Sequence, residues 1–187
     1  MLTVGHGTAT REELTELLTV AGVGLVVDVR RFPGSRRHPH VATEQLEQWL
    51  PAAGVSYRWE PRLGGRRRLP PDERDADPWW RVEAFRAYAA YARTAEFREA
   101  MDELLAEVSA RPEASTAVMC SESLWWRCHR RLIADVAVLL HGVSVLHLGH
   151  DGRRSEHAPA AGARVTPDGL RYDDPAPGGQ PASPSSP

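Results

Sequence analysis

The sequence contains no lysine, only two cysteines and no apolar run long enough to cross a membrane. All 23 of its strong cations are therefore arginines. Two cysteines are too few for a disulfide framework, so we expect free thiols, metal ligands or catalytic groups in a reducing compartment. Because the sequence also lacks a charged leader followed by an apolar segment, we expect a cytoplasmic protein that makes no contact with a membrane.

The chain also has little net charge, −2 over 187 residues, which excludes a globally basic nucleic-acid binder. Its apolar share of 42% and charged share of 26% are typical of a globular protein. After Asp151 the composition changes to Gly, Pro, Ala and Ser. We therefore expect one α/β domain over residues 1–151, a loosely packed extension over 152–174 and a disordered Pro/Ser/Gly-rich tail over 175–187.

Short apolar runs alternate with amphipathic segments through most of the chain. The apolar runs predict strands at 2–4, 25–29, 55–60, 116–119 and 143–148. Helical periodicity predicts helices over 11–21, 44–53, 95–110 and 127–141, with a further helical segment at 85–91. This alternation predicts a three-layer α/β fold, Rossmann- or flavodoxin-like, with a mainly parallel sheet covered by helices on both faces.

Unusual polar residues follow each predicted strand. The carboxyl ends of parallel strands meet at one edge of a sheet, and this edge is where such folds bind ligands. The sequence therefore predicts a single site at this edge, built from the residues that end the strands: His6, Arg30, Gly64, Gly65, Cys120, Glu122 and His150.

Six short motifs lie, in this order, at 3–6, 27–30 with 33–35, 63–65, 85–91, 120–122 and 128–130. Together they resemble the DUF488 family of bacterial and archaeal proteins. The resemblance covers residues 2–150 and implies a single α/β domain, but it brings no settled reaction. Relatives have a Lys-Asp-Pro turn after the glutamate, whereas this chain has Ser123 to Trp126, so no lysine of that loop can take part here.

Arginines cluster in the same edge loops. Guanidinium groups suit phosphate and carboxylate geometry, and the N-terminus of the helix predicted at 127–141 would add backbone donors. We therefore expect a pocket for an anionic substrate, held by His6, Arg30, Ser35, Gly64, Gly65, Arg127 and Arg130. The alternative is that some of these arginines form structural ion pairs with Asp28, Glu60, Glu122 or Asp135.

The candidate catalytic residues are Cys120, Glu122, Cys128 and His129. Glu122 and His129 are candidate acid–base partners, and Glu122 could equally be a carboxylate nucleophile at a sugar carbon. The helix predicted at 127–141 would place Cys128 in its first turn, where a thiolate is favoured, and a thiol beside a histidine can act as a nucleophile. The spacing from Cys120 to Arg127 is one residue longer than the Cys-x5-Arg loop of cysteine phosphatases, so that chemistry is not predicted. The alternatives are inert buried thiols and a salt bridge from Glu122 to Arg127 or Arg130.

Together these features predict an enzyme, a hydrolase or group transferase acting on a phosphorylated or nucleotide-type substrate. One alternative is a non-catalytic module that binds a nucleotide or nucleic acid or senses redox state through its thiols, with Trp125 and Trp126 as candidate stacking residues. A weaker alternative is a metal site at Cys120, Cys128, His129 and His6, whose spacing matches no standard zinc pattern. No cofactor is therefore predicted, and nothing in the sequence indicates an oligomeric state.

Overall fold

The computed structural model describes residues 1–34 and 37–173, which form one six-stranded sheet, a separate hairpin and the helices that cover the sheet. The strands are β1 (Leu2–Gly5), β2 (Val23–Asp28), β3 (Ser56–Trp59), β4 (Ser115–Cys120), β5 (Leu146–Leu148), β6 (Arg154–Glu156), β7 (Ala163–Thr166) and β8 (Gly169–Tyr172). The helices are α1 (Arg11–Val20), α2 (Thr43–Ala52), α3 (Glu83–Ala92), α4 (Ala95–Ser109) and α5 (Arg130–His141). In these residues no helix combines the length and hydropathy needed to cross a membrane.

The sheet has the strand order β3-β2-β4-β1-β5-β6, in which only β6 runs antiparallel to its neighbour. Side chains alternate between the two faces of a strand, so Val26 and Val27 enter different cores. On one face the sheet buries Leu14 of α1 and Leu46 of α2, and on the other it buries the apolar sides of α3, α4 and α5. The predicted three-layer, mainly parallel α/β fold is confirmed.

The start of α5 differs from the prediction, since the helix begins at Arg130 rather than at residue 127. Trp125–Arg127 form a 3-10 turn, and Cys128 is extended with φ −124° and ψ 151°. Cys128 therefore precedes the helix and does not lie in its first turn. The apolar periodicity that anchors α5 in the core begins only at Leu132, so nothing apolar fixes an earlier turn.

Much of the segment for which loose packing was predicted adds strands to the fold. β6 pairs with β5, and the β7–β8 hairpin packs on α3 and α5, burying Leu170 and Tyr172. Asp135 of α5 accepts hydrogen bonds from His157 Nε2 at 2.7 Å, from the Ala160 amide at 3.1 Å and from the Tyr172 hydroxyl at 3.0 Å. The buried carboxylate of Asp135 is thus hydrogen-bonded to three residues of the segment. The tail predicted at 175–187 lies outside the described residues.

A buried chain of hydrogen bonds runs from β1 to α5 behind the site. Because Asp135 can only accept, His157 Nε2 carries the proton of their bond, and His157 Nδ1 accepts from His147 Nε2 at 2.9 Å. His147 Nδ1 then accepts from the Thr3 hydroxyl at 2.6 Å. The ring of Trp125 stacks on His147, with 3.9 Å between the centroids. Burial lowers the pKa of His147 to about 3, and the positive charge of Arg130 adds to this effect.

The low pKa of His147 predicts a loss of stability in mild acid. As the pH falls below about 6.5, this ring binds a proton in the unfolded chain but not in the folded chain. The free energy of unfolding therefore decreases. Between pH 7 and pH 5 we expect the wild type to lose about 2 kcal/mol more than His147→Gln. Urea denaturation of both proteins at both pH values measures this, and equal losses would contradict it.

Candidate functional site

A cleft of about 1050 Å³ opens at the carboxyl edge of the sheet. It brings together most of the residues that the sequence predicts for the site: His6, Arg30, Gly65, Cys120, Glu122, Arg127, Cys128 and His129. Gly64, Arg130 and His150 do not line it, and Ser35 lies outside the described residues. The cleft also contains Trp126, a candidate stacking residue, and three arginines of the edge loops, Arg31, Arg37 and Arg66. Residues that the sequence did not assign to the site also line it, and these include Phe32, Phe85, Tyr88 and Ser121.

Two sulfur atoms and one imidazole meet on the floor of this cleft. Cys120 is the last residue of β4, and Cys128 approaches it from the loop that precedes α5. His129 Nδ1 lies 3.9 Å from the Cys120 sulfur and 3.6 Å from the Cys128 sulfur. The three atoms all lie within 4.8 Å of one another, and both thiols are free. We call these three side chains the Cys–Cys–His cluster.

The two thiols of the cluster differ in acidity. A hydrogen bond from Cys128 holds the pKa of Cys120 well below its usual range, and nearby His129 and Arg130 act in the same direction, although burial opposes them. The same hydrogen bond, together with burial, raises the pKa of Cys128. Cys120 is therefore the more acidic sulfur of the pair.

Close packing against glycine fixes the ring of His129. A Cβ at Gly65 would lie 2.8 Å from His129 Nδ1, so a larger residue there would displace the imidazole. The Tyr88 ring packs on His129 with 5.1 Å between the centroids. Nε2 of His129 is buried and has no partner among the described residues, which leaves Nδ1 as the nitrogen that can act on the cleft floor. The predicted acid–base role of His129 would therefore have to use Nδ1.

Arg30 and His6 line the cleft but belong to a buried network. Arg30 pairs with Asp28 at 2.5 Å, donates to the Val41 carbonyl at 2.7 Å and donates to His6 Nε2 at 3.2 Å. His6 Nδ1 must then carry its proton, which it donates to the Gly7 carbonyl at 3.0 Å. Burial lowers the pKa of His6 to about 4, helped by the charge of Arg30, so the ring is neutral at neutral pH. Both residues shape the wall, and most of their donors are already used.

Arg130 lies beneath the cleft floor, where it ties the loop to α5. Its side chain is 1% exposed, donates to the Glu122 carbonyl and places Nε 3.5 Å from the Cys128 sulfur. A Cβ at Gly5 would overlap that Glu122 carbonyl, so glycine is required where β1 passes the loop. Arg130 therefore does not take the anion-binding position that the sequence suggests, because its donors serve the loop and the cluster.

The rim of the cleft carries arginines that have no ion-pair partner in the described part of the chain. Arg37, Arg66 and Arg127 are exposed, and within the described residues their side chains have neither a hydrogen bond nor an ion pair. Arg31 donates to the Arg66 carbonyl at 3.0 Å, which fixes one wall. Glu122 is the only carboxylate among the described lining residues, and the salt bridge considered for it does not form. The potential of the cleft should be positive.

A second cleft of about 640 Å³ adjoins the first and shares Arg31, Phe32 and Arg66 with it. It adds Arg67 and Arg68 and contains no acidic lining residue among those described. Phe32 is 64% exposed and Trp126, in the first cleft, is 48% exposed. The clustering of arginines in the sequence pointed to these loops, but the exposed phenylalanine between them gave no sequence signal of its own.

The sequence model of one family, described as "Domain of unknown function DUF488", matches residues 10–137 of the chain. The matched range runs from the start of α1 into α5 and includes β4 and the whole Cys–Cys–His cluster. No curated protein and no solved structure matches the chain.

Proposed function

The chain belongs to the DUF488 family, a family of unknown function, and from its site we propose that it is a hydrolase or group transferase for a phosphorylated or nucleotide-type substrate. The observation that carries this proposal is the combination of unpaired arginines on the rim of the cleft with the Cys–Cys–His cluster on its floor. The rim binds the anion, and the floor supplies the reacting group.

The charges of the cleft support an anionic substrate. Arg66 and Arg127 have no protein partner within the described residues, so binding a phosphate would break no existing ion pair. A guanidinium group offers two parallel donors to a phosphate, which makes arginine the favoured side chain for this recognition. The single negative charge of Glu122 does not balance the positive charges of these arginines. Its exposed carboxylate can exchange a proton with a leaving group.

The floor of the cleft supports a reaction rather than binding alone. Cys120 ends β4 with its sulfur against His129, where a substrate held by the rim would meet it. The sulfur atoms either attack the substrate themselves or hold the group that does. The exposed rings of Phe32 and Trp126 offer stacking surfaces, which favours a substrate that carries a nucleobase.

A thermal-shift panel tests the binding part of the proposal. It should contain inorganic phosphate, nucleotides, nucleosides and sugar phosphates, and we expect a phosphorylated compound to raise the melting temperature by several degrees. In the double variant Arg66→Ala/Arg127→Ala the affinity should fall by about tenfold or more, because each lost charge-assisted hydrogen bond contributes about 1.5–3 kcal/mol. Arg111→Ala is the control, since Arg111 lies before β4 at the opposite edge of the sheet.

Turnover of the hit compound tests the catalytic part. Mass spectrometry should detect a product with the wild type and none with Cys120→Ala, provided that the variant still binds the compound. A product formed equally well by Cys120→Ala would remove the cluster from the mechanism. Binding that survives in the double arginine variant would remove the rim from it.

The second, arginine-lined cleft favours one other candidate, a protein that binds single-stranded nucleic acid without cleaving it. Arg31, Phe32 and Arg66 connect the two clefts, so a strand longer than one nucleotide could follow them. This candidate predicts that affinity rises with oligonucleotide length and falls steeply with salt, and that no product forms. Affinity for a mononucleotide equal to that for an oligonucleotide would contradict it.

A further inference from the structure

The Cys–Cys–His cluster has the spacing of a metal-ligand set. Zinc–sulfur bonds of about 2.3 Å and zinc–nitrogen bonds of about 2.0–2.1 Å in a tetrahedron place sulfur and nitrogen about 3.6 Å apart and two sulfurs about 3.8 Å apart. His129 Nδ1 lies 3.6 Å from the Cys128 sulfur and 3.9 Å from the Cys120 sulfur. All three atoms lie within 4.8 Å of one another. Small side-chain adjustments would complete the coordination.

The ligand types select the metal. Two thiolates and one imidazole suit a borderline-soft divalent ion such as zinc, whereas magnesium and calcium require oxygen ligands. Structural zinc sites are closed by four protein ligands, whereas catalytic sites have three and keep the fourth position open. The predicted fourth ligand, His6, has both ring nitrogens engaged, by Arg30 and by the Gly7 carbonyl. His6 is therefore not available as the fourth ligand. All three cluster residues line the cleft, which leaves the fourth position to a group that enters from it.

The surroundings favour a charged sulfur cluster. Nε of Arg130 lies 3.5 Å from the Cys128 sulfur, where its positive charge stabilises a thiolate. The absence of a Cβ at Gly65 leaves space beside His129 Nδ1, the nitrogen that would bind the ion. The loop that carries Cys128 is held in place by the buried Arg130, so the ligands are largely preorganised.

We propose that Cys120, Cys128 and His129 bind one zinc ion whose fourth coordination position opens into the arginine-rimmed cleft. The position would accept a water molecule or a substrate oxygen. This inference rests on the proposed function only in placing the reacting group on the cleft floor, and the binding of zinc itself does not depend on the rim arginines. Binding releases the protons that the two sulfurs still hold, so zinc affinity should rise with pH.

Metal analysis of the full chain tests the proposal. Metal-free protein, prepared with a chelator, should take up about one equivalent of zinc, as a tetrahedral site for a single ion requires. Cobalt used as the probe should give the visible absorption of a tetrahedral ion and the near-ultraviolet charge-transfer bands of thiolate ligands. The spectrum reports on the ligands in the wild type, so the test does not depend on whether a cysteine variant folds.

Three ligand variants, Cys120→Ser, Cys128→Ser and His129→Gln, should each bind zinc at least about tenfold more weakly than the wild type. His141→Gln is the matched control, because His141 is exposed at the far end of α5. Failure of the metal-free wild type to bind zinc, a cobalt spectrum without thiolate bands, or equal affinity in the ligand variants would each overturn the proposal.

The two proposals fail in different ways. If the wild type binds no zinc but binds a phosphorylated compound through Arg66 and Arg127, the proposed function stands and the zinc site is excluded. If zinc binds through the three ligands but no anion binds at the rim, the zinc site stands and the proposed substrate class is excluded.

Discussion

Replacing Arg30 with methionine is expected to destabilise the protein by about 3–5 kcal/mol, the range observed when one partner of a buried ion pair is removed. Asp28 is fully buried, and Arg30 is 6% exposed. The variant would leave the carboxylate with the Tyr57 hydroxyl at 2.9 Å and the Arg30 amide at 3.0 Å, but with no counter-charge. Methionine nearly fills the space of the arginine stem, so the loss measures charge and hydrogen bonding rather than a cavity.

Urea denaturation followed by circular dichroism measures this change. The matched control is Arg37→Met, at an exposed arginine of the same loop, where we expect a change within about 0.5 kcal/mol. Adding Asp28→Asn to Arg30→Met should recover part of the loss, because it removes the uncompensated charge. A loss below about 1 kcal/mol in Arg30→Met would mean that Tyr57 and the backbone suffice for Asp28.

The buried pair shows why the site could be predicted only in part. Apolar runs stop at Arg30 and at Cys120, and the geometry of a parallel sheet brings the ends of neighbouring strands together, so the location followed from the sequence. The roles of individual arginines did not follow. Arg30, Arg130 and Arg66 look alike in the sequence, yet the first two are buried and only the third is free. Their difference depends on acceptors such as the Val41 and Glu122 carbonyls, which only the folded loops bring near.

The same limit applies to the C-terminal part. Its Gly-, Pro- and Ala-rich composition hides three short strands, because few of their residues, such as Leu170 and Tyr172, enter the core. The acceptor that fixes the segment, Asp135, lies on α5. It is far from the segment in the sequence, so no local sequence pattern links the two. Helical periodicity placed Asp135 in a helix. It did not indicate that this buried carboxylate accepts hydrogen bonds from three residues of the C-terminal segment.

Replacing Asp135 with alanine is expected to lower the free energy of unfolding by about 3–5 kcal/mol, because each buried donor left without an acceptor costs about 1–3 kcal/mol. His157 Nε2, the Ala160 amide and the Tyr172 hydroxyl lose their partner together. The loss should also be local. Since these three donors lie in the segment after β5, its opening should require less free energy than global unfolding.

Urea denaturation and limited trypsin digestion separate the two effects. In Asp135→Ala we expect early cleavage after Arg164 and Arg171, in β7 and β8, before the sheet is cut. Asp168→Ala is the control, because Asp168 is exposed in the turn of the same hairpin and has no hydrogen bond within the described residues. Cleavage of Asp135→Ala at the wild-type rate would show that the other contacts of the hairpin, such as the buried Leu170 side chain and the ion pair of Arg171 with Glu73, suffice to hold it. Early cleavage would show instead that a single carboxylate of α5 fastens the C-terminal strands to the layer of helices that also packs against the floor of the cleft.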